Sequence, residues 1–183
     1  MTRAFSLDKR MILAIAFVSS LALATRTHAT PGPADTPVPV TPIHASAIQV
    51  GPIQADEVKL PAEFQMAMYE HVVEEIGKTN RFQHVYRDGD HDASSAADLV
   101  TLHCTVTGFK QGSAEKRQVT SVAGKTSITV HLLFTDKDGK TLFNHDVEGK
   151  VQFFGENLRA TYNFSKRVAD VVKTDFTPAS SKK

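Results

Sequence analysis

The stretch "DLVTLHCTVTGF", Asp98 to Phe109, decides the fold class. Its apolar and polar residues alternate, and a strand sends successive side chains to opposite faces. Val100, Leu102, Cys104 and Val106 share one face, while Thr101, His103, Thr105 and Thr107 share the other. That is a half-buried strand. The same alternation settles the one cysteine of the chain. His103 and Cys104 point to opposite sides of the sheet and cannot form a thiolate–imidazole pair with each other. A single cysteine closes no internal disulfide, and this one does not sit just after an export signal, where a lipid is attached. Free cysteine packs as a small apolar group, so Cys104 is expected to fill core.

Downstream, "TSITVHLLFTD" repeats the pattern, with Ile128, Val130, Leu132 and Phe134 inward and Ser127, Thr129 and His131 outward. "DKDG", Asp136 to Gly139, is a turn of the usual residue types. "TLFNHDVEGKVQF" then buries Phe143, Val147, Val151 and Phe153 and exposes Asn144, Asp146, Glu148, Lys150 and Gln152. A closing helix runs from about Glu156 to Thr174, with Leu158, Tyr162, Phe164, Val168 and Val172 apolar. Glu156 and Asn157 stand at its start, the positive end of the helix dipole.

Upstream, "RFQHVYR" reads as a short strand and "DGDHDASSAA" as a loop. Phe64, Met68, Val72 and Ile76 recur every fourth residue, widened by Ala67 and Val73. Pro61 suits a first helical turn and Gly77 the residue past the last, so a helix spans about Pro61 to Ile76. "IHASAIQV", Ile43 to Val50, is the first strand. The order is strand, helix, four strands, helix. The expected fold is α+β: a single, mostly antiparallel sheet of about five strands with two amphipathic helices on one face.

The ends of the chain speak to its destination. Arg3, Lys9 and Arg10 precede a mostly apolar run from Met11 to Ala24, and Ala22-Leu23-Ala24 or Thr27-His28-Ala29 offers a cleavage box. This is the export-signal pattern. The run is shorter than the roughly 20 residues that cross a bilayer, so residues 1–29 read as a cleaved signal and no membrane span is expected afterwards. The exported protein is expected in the periplasm or outside the cell. Residues 30–42 hold five prolines, Pro31, Pro33, Pro37, Pro39 and Pro42, and form an extended spacer. One domain, residues 43–176, and a free tail, 177–183, follow.

The whole chain has 21 basic and 20 acidic residues; losing residues 1–29 removes four basic residues and one acid, leaving 17 and 19. No basic stripe remains, so no nucleic-acid partner is expected. Asp88, Asp90 and Asp92 hold the first three ligand positions of a calcium loop, but Ala93 stands at its glycine and Leu99 at its last carboxylate. A solvated turn is the better reading. None of His44, His71, His84, His91, His103, His131 or His145 forms an HxH or HExxH pair. His103 and His131 share the polar sheet face and are the weak metal candidates there. No nucleophile elbow, phosphate loop or paired acids stand out, so neither an enzyme nor a cofactor is expected.

Four segments carry a resemblance: "FQMAMYEHVVEEIGKTNRFQHVYRD", "AADLVTLHCTVTGFKQGS", "GKTSITVHLLFTDKDGKTLFNHDVEGKV" and "NLRATYNFSKRVADVVKTDF". In this order they resemble the bacterial domain-of-unknown-function 4410 family, over about Phe64 to Phe176. More distantly they are similar to the small α/β domains of the curli-export lipoprotein and of the Tol system's propeller protein. The family often carries a glycine-rich loop before strand four; here only Gly112 and Gly124 flank "SAEKRQVTSVA". Many relatives are lipoproteins, whereas no cysteine follows this signal. The resemblance implies an envelope protein and no catalytic residues. Two functions stay open. One is an exported module binding another envelope protein, or itself, through a sheet edge or the loop with Gln111, Glu115, Lys116 and Arg117. The other is a carrier of a small ligand or metal on the polar face.

Overall fold

The computed structural model describes residues 42–119, 124–151 and 156–179. The expected signal segment 1–29, the expected spacer up to residue 41, Gln152 and Phe153, and the last four residues lie outside them. Five strands form one sheet in the order β2-β1-β3-β4-β5: β1 is Ala47–Gln54, β2 His84–Arg87, β3 Leu99–Lys110, β4 Thr126–Asp136 and β5 Thr141–Val151. The long β3–β4 and β4–β5 ladders are antiparallel, while β1 pairs in parallel with β2 and with β3. Parallel neighbours need a crossover, and helix α1, Ala62–Lys78, provides it between β1 and β2. A short helix, α2, Ala114–Val119, interrupts the β3–β4 connection, and α3, Arg159–Asp175, closes the fold.

Alternation in β3 and β4 is as expected. Val100, Leu102, Cys104 and Val106 are buried beside Ile128, Val130, Leu132 and Phe134. Cys104 pairs with Leu132 and with Ile53 and has no exposed surface. Burial disfavours its thiolate and pushes the thiol up to about 12. Phe64, Met68, Val72 and Ile76 of α1 cover the same sheet face, together with Phe164, Val168 and Val172 of α3. The result is one layer of helix over one layer of sheet.

Four elements depart from expectation. The first strand starts and ends later, at Ala47–Gln54, because Gly51 and Pro52 lie within it rather than after it. The β1–β3 register shifts between Val50 and Ile53, and a bulge there accommodates a proline that cannot donate to the ladder. A side chain at Gly51 would come 3.2 Å from the Leu102 carbonyl. Helix α1 continues through Gly77 to Lys78, and the left-handed residue beyond it is Asn80, φ 54°. Asn tolerates that conformation better than other non-glycine residues.

In α3 the buried face includes Ala160, Thr161, Ser165 and Ala169, while Leu158 is 39% exposed before the helix begins. Small residues let α3 approach Gly149 of β5 so closely that a Cβ there would overlap Phe164. They also let it meet α1, where Thr161 Oγ1 lies 3.0 Å from His71 Nδ1. Finally, the expected free tail begins tied down. Thr177 donates its N–H to Ile43 O at 2.9 Å and Ala179 donates to Asn80 O at 3.3 Å.

Candidate interaction surface

Residues 111–119, expected as part of a plain loop, lead out of β3 as an arm that carries α2. Its base is closed. Gly112 donates its N–H to Thr126 Oγ1 at 3.0 Å, and Thr126 Oγ1 donates to Asn157 Oδ1 at 2.9 Å. The amide of Asn157 returns to Gly112 O at 3.2 Å. Asn157 thus staples the foot of the arm to the entrance of α3. Gly112 is also required by space, since a Cβ there would overlap the Gly124 carbonyl. Gly124 itself has φ +84°, a conformation glycine adopts without strain.

Beyond this closed neck the described side chains of the arm are unburied. Gln111, Glu115 and Lys116 are exposed, Arg117 is part of α2, and Val119 is 84% exposed. None of the described side chains of α2 is buried. A helix of six residues has too few hydrogen bonds to repay its own nucleation in water, and most helical stability in proteins comes from packing. This one has no packed face of its own.

β3 leads into the arm at the same end of the sheet at which β1 finishes, since Gln54 pairs with Thr105 five residues before Lys110. At that end an open groove of about 460 Å³ lies between β1 and the first turns of α1. Pro52, Ile53, Ala62 and Met66 form its apolar wall, and Met66 is 71% exposed. Glu70 and Asp88 supply its carboxylates. Arg87 binds both oxygens of Glu70 at 2.7 Å and holds that carboxyl below the usual range. Asp88 has no ionic or hydrogen-bonding partner for its carboxylate among the described residues.

The polar sheet face separates the two histidines expected there. In the β3–β4 register His103 stands opposite Leu133, and His131 stands opposite Thr105. They are diagonal neighbours with different partners: His103 Nε2 lies 3.3 Å from Thr135 Oγ1, and His131 Nδ1 lies 2.7 Å from Asp146 Oδ1. Among the described residues no group of three His, Cys, Asp or Glu could hold a metal ion. At the calcium-like stretch, Asp90 accepts the Asp92 N–H at 3.1 Å and caps the short turn His91–Ser95. Along the outer edge of β5, Asn163 donates to Lys150 O at 2.8 Å. Lys150 in turn holds Glu148 at 2.7 Å and keeps its carboxyl below the ordinary range. Among the described residues no helix is long and apolar enough to cross a membrane.

Sequence reasoning placed Gln111, Glu115, Lys116 and Arg117 on the connection but missed Val119 and the groove. The signal for Val119 was an apolar residue directly after the polar run Glu115–Gln118, and Met66 stood one position off the α1 stripe.

None of the curated proteins matches the chain. Among solved structures, the PelC dodecamer from Paraburkholderia phytofirmans is 10% identical with a TM-score of 0.53, over 76% of this chain and 93% of that one. The protein CT253 from Chlamydia trachomatis is 8% identical with a TM-score of 0.44, over 69% and 93%. A minor lipoprotein from Acinetobacter baumannii is 9% identical with a TM-score of 0.39, over 74% and 92%. The likeness to PelC is one of fold. Residues 30–153 match the family described as a domain of unknown function, DUF4410. The chain belongs to the DUF4410 family.

Proposed function

We propose that this is an exported, non-enzymatic protein of the bacterial envelope that acts by binding another envelope protein, a second copy included, through the arm 111–119. The observation that carries the reading is the contrast within that arm. Its foot is fixed by Gly112, Thr126 and Asn157, while α2 beyond it buries none of its described side chains and exposes Val119. A fixed foot limits the entropy lost when the tip is ordered on a partner. The basic, apolar and small-residue order of the first 29 residues supports export. PelC, of similar fold, is solved as a dodecamer, so subunit contacts can be built on this scaffold.

A photo-reactive amino acid in place of Val119, in cells expressing the full chain, tests the reading. A discrete protein adduct in the envelope fraction is expected. The same residue at exposed Lys137 in the β4–β5 turn is the control, and equal labelling from both positions overturns the assignment. N-terminal sequencing of the same material is expected to find a start after Ala24 or Ala29; an intact Met1 contradicts export by cleavage.

A further inference from the structure

We infer that the partner of the arm is a second copy of this chain, and that two copies exchange arms reciprocally, each placing Val119 against Met66 in the groove of the other. The inference rests on the arm being the contact element and adds which surface receives it. Among the described residues only three large apolar side chains are exposed: Met66, Val119 and Leu158. Leu158 adjoins the staple residue Asn157. Met66 and Val119 are the two most exposed, at 71% and 84%, and they lie on the two features just described, groove and arm.

Their chemistry is complementary. The groove offers Pro52, Ile53, Ala62 and Met66 as an apolar wall with Asp88 on its rim. The arm offers Val119 with Lys116 one turn earlier, and Lys116 has no anionic partner among the described residues. An unpaired carboxylate and an unpaired ammonium favour each other's approach and fix register.

The placement of the two features argues for reciprocity. Both belong to the end of the sheet where β1 and β3 finish; there Phe109, just before the arm, packs edge-on to Phe64 of α1 at 5.0 Å. One patch carrying both halves of a contact is self-complementary under a two-fold axis, so each contact is made twice in a closed dimer. An open head-to-tail chain would instead leave an arm unused at one end and a groove at the other, and a closed ring would hold more than two copies.

Two single-cysteine additions test this, with buried Cys104 left in place. Protein expressed as the full chain and purified is prepared as Val119→Cys and as Met66→Cys. Mild oxidation of the mixture is expected to give a disulfide-linked pair containing one chain of each kind. The double variant is expected to give a dimer with two bridges and nothing larger. By light scattering the unsubstituted protein is expected to be a dimer, and Val119→Asp is expected to weaken it at least about tenfold. Asp88→Lys is expected to weaken it also, and Lys116→Asp in the same chain to restore it. Unchanged denaturant midpoints show that these surface variants fold.

A monomer at about 100 µM, a disulfide joining two chains that both carry Val119→Cys in place of the mixed one, or species larger than a dimer would each overturn the inference. The reading of the arm survives if position 119 still cross-links to a different envelope protein, and fails with the inference if it cross-links to nothing.

Discussion

Two regions that adjoin in the chain, β3 and the arm that follows it, are built on opposite terms. From Val100 to Val106 β3 buries every second side chain, and its fit is so close that Cys104 has no accessible surface. The arm buries none of the described side chains of α2 and is fixed only at its foot. Substitutions in the first should change stability and leave association alone; substitutions beyond the foot should do the reverse. The border between the two behaviours is expected at Gly112.

The largest effect is expected at Cys104. Cys104→Asp places a carboxylate among Ile53, Leu132 and Val106 with nothing to solvate it. An unpaired buried charge costs several kcal/mol, and loss of the cooperative unfolding transition is expected by circular dichroism. Cys104→Ala removes only volume and is expected to cost about 1 kcal/mol. In the unsubstituted protein a thiol pushed up to about 12 should resist labelling at neutral pH until denaturant unfolds the sheet. Rapid labelling of folded protein would break the comparison on the β3 side.

Next comes Gly149→Ala. The added Cβ would overlap the Ala160 carbonyl and Phe164, so α3 must shift away from β5, at roughly 2 kcal/mol or more. Denaturant midpoints measure it. A neutral substitution would mean that α3 is not seated as closely as described.

Asn157→Ala sits on the border and sharpens the contrast. It removes the hydrogen bond donated by the side-chain amide to Gly112 O and the acceptor for Thr126, at about 1 kcal/mol in net stability. Its stronger signature is faster hydrogen exchange at residues 112–119 with β3 unaffected. The smallest effect is expected from His103→Ala. That side chain lies on the uncovered sheet face with one 3.3 Å contact to Thr135, and surface changes of this kind fall within about 0.5 kcal/mol.

The same contrast explains what was legible beforehand. Val100–Val106 of β3, Ile128–Phe134 of β4 and Val147–Val151 of β5 alternate because one sheet face is covered and the other is not, so their inward residues could be assigned one by one; Phe143 is only half-buried and Phe153 lies outside the described residues. β1 was displaced because Gly51-Pro52 reads as the end of a strand, whereas the sheet absorbs both in a bulge beyond the reach of β2. The buried face of α3 was read from its large residues alone. Its close approach depends on Ala160, Thr161, Ser165 and Ala169, whose burial follows from Gly149 on another element.

The arm and groove were least legible. Six residues are too few to show a helical period, and Met66 belongs to a groove only because Pro52 and Asp88 are brought beside it by the tertiary fold. Gln111, Glu115, Lys116 and Arg117 were recognised by position, between two well-marked strands, rather than by pattern.

Hydrogen–deuterium exchange at the amides of α2, Ala114–Val119, tests the central claim most directly. Local opening is easy where few contacts oppose it, so in dilute protein these amides should exchange far faster than those of Val100–Val106. At high concentration, or on adding back envelope material, the α2 amides should become protected, and Val119→Asp should abolish that protection without altering β3. If α2 is instead as protected as β3 in the dilute monomer, or if neither condition slows its exchange, the arm is not the contact element.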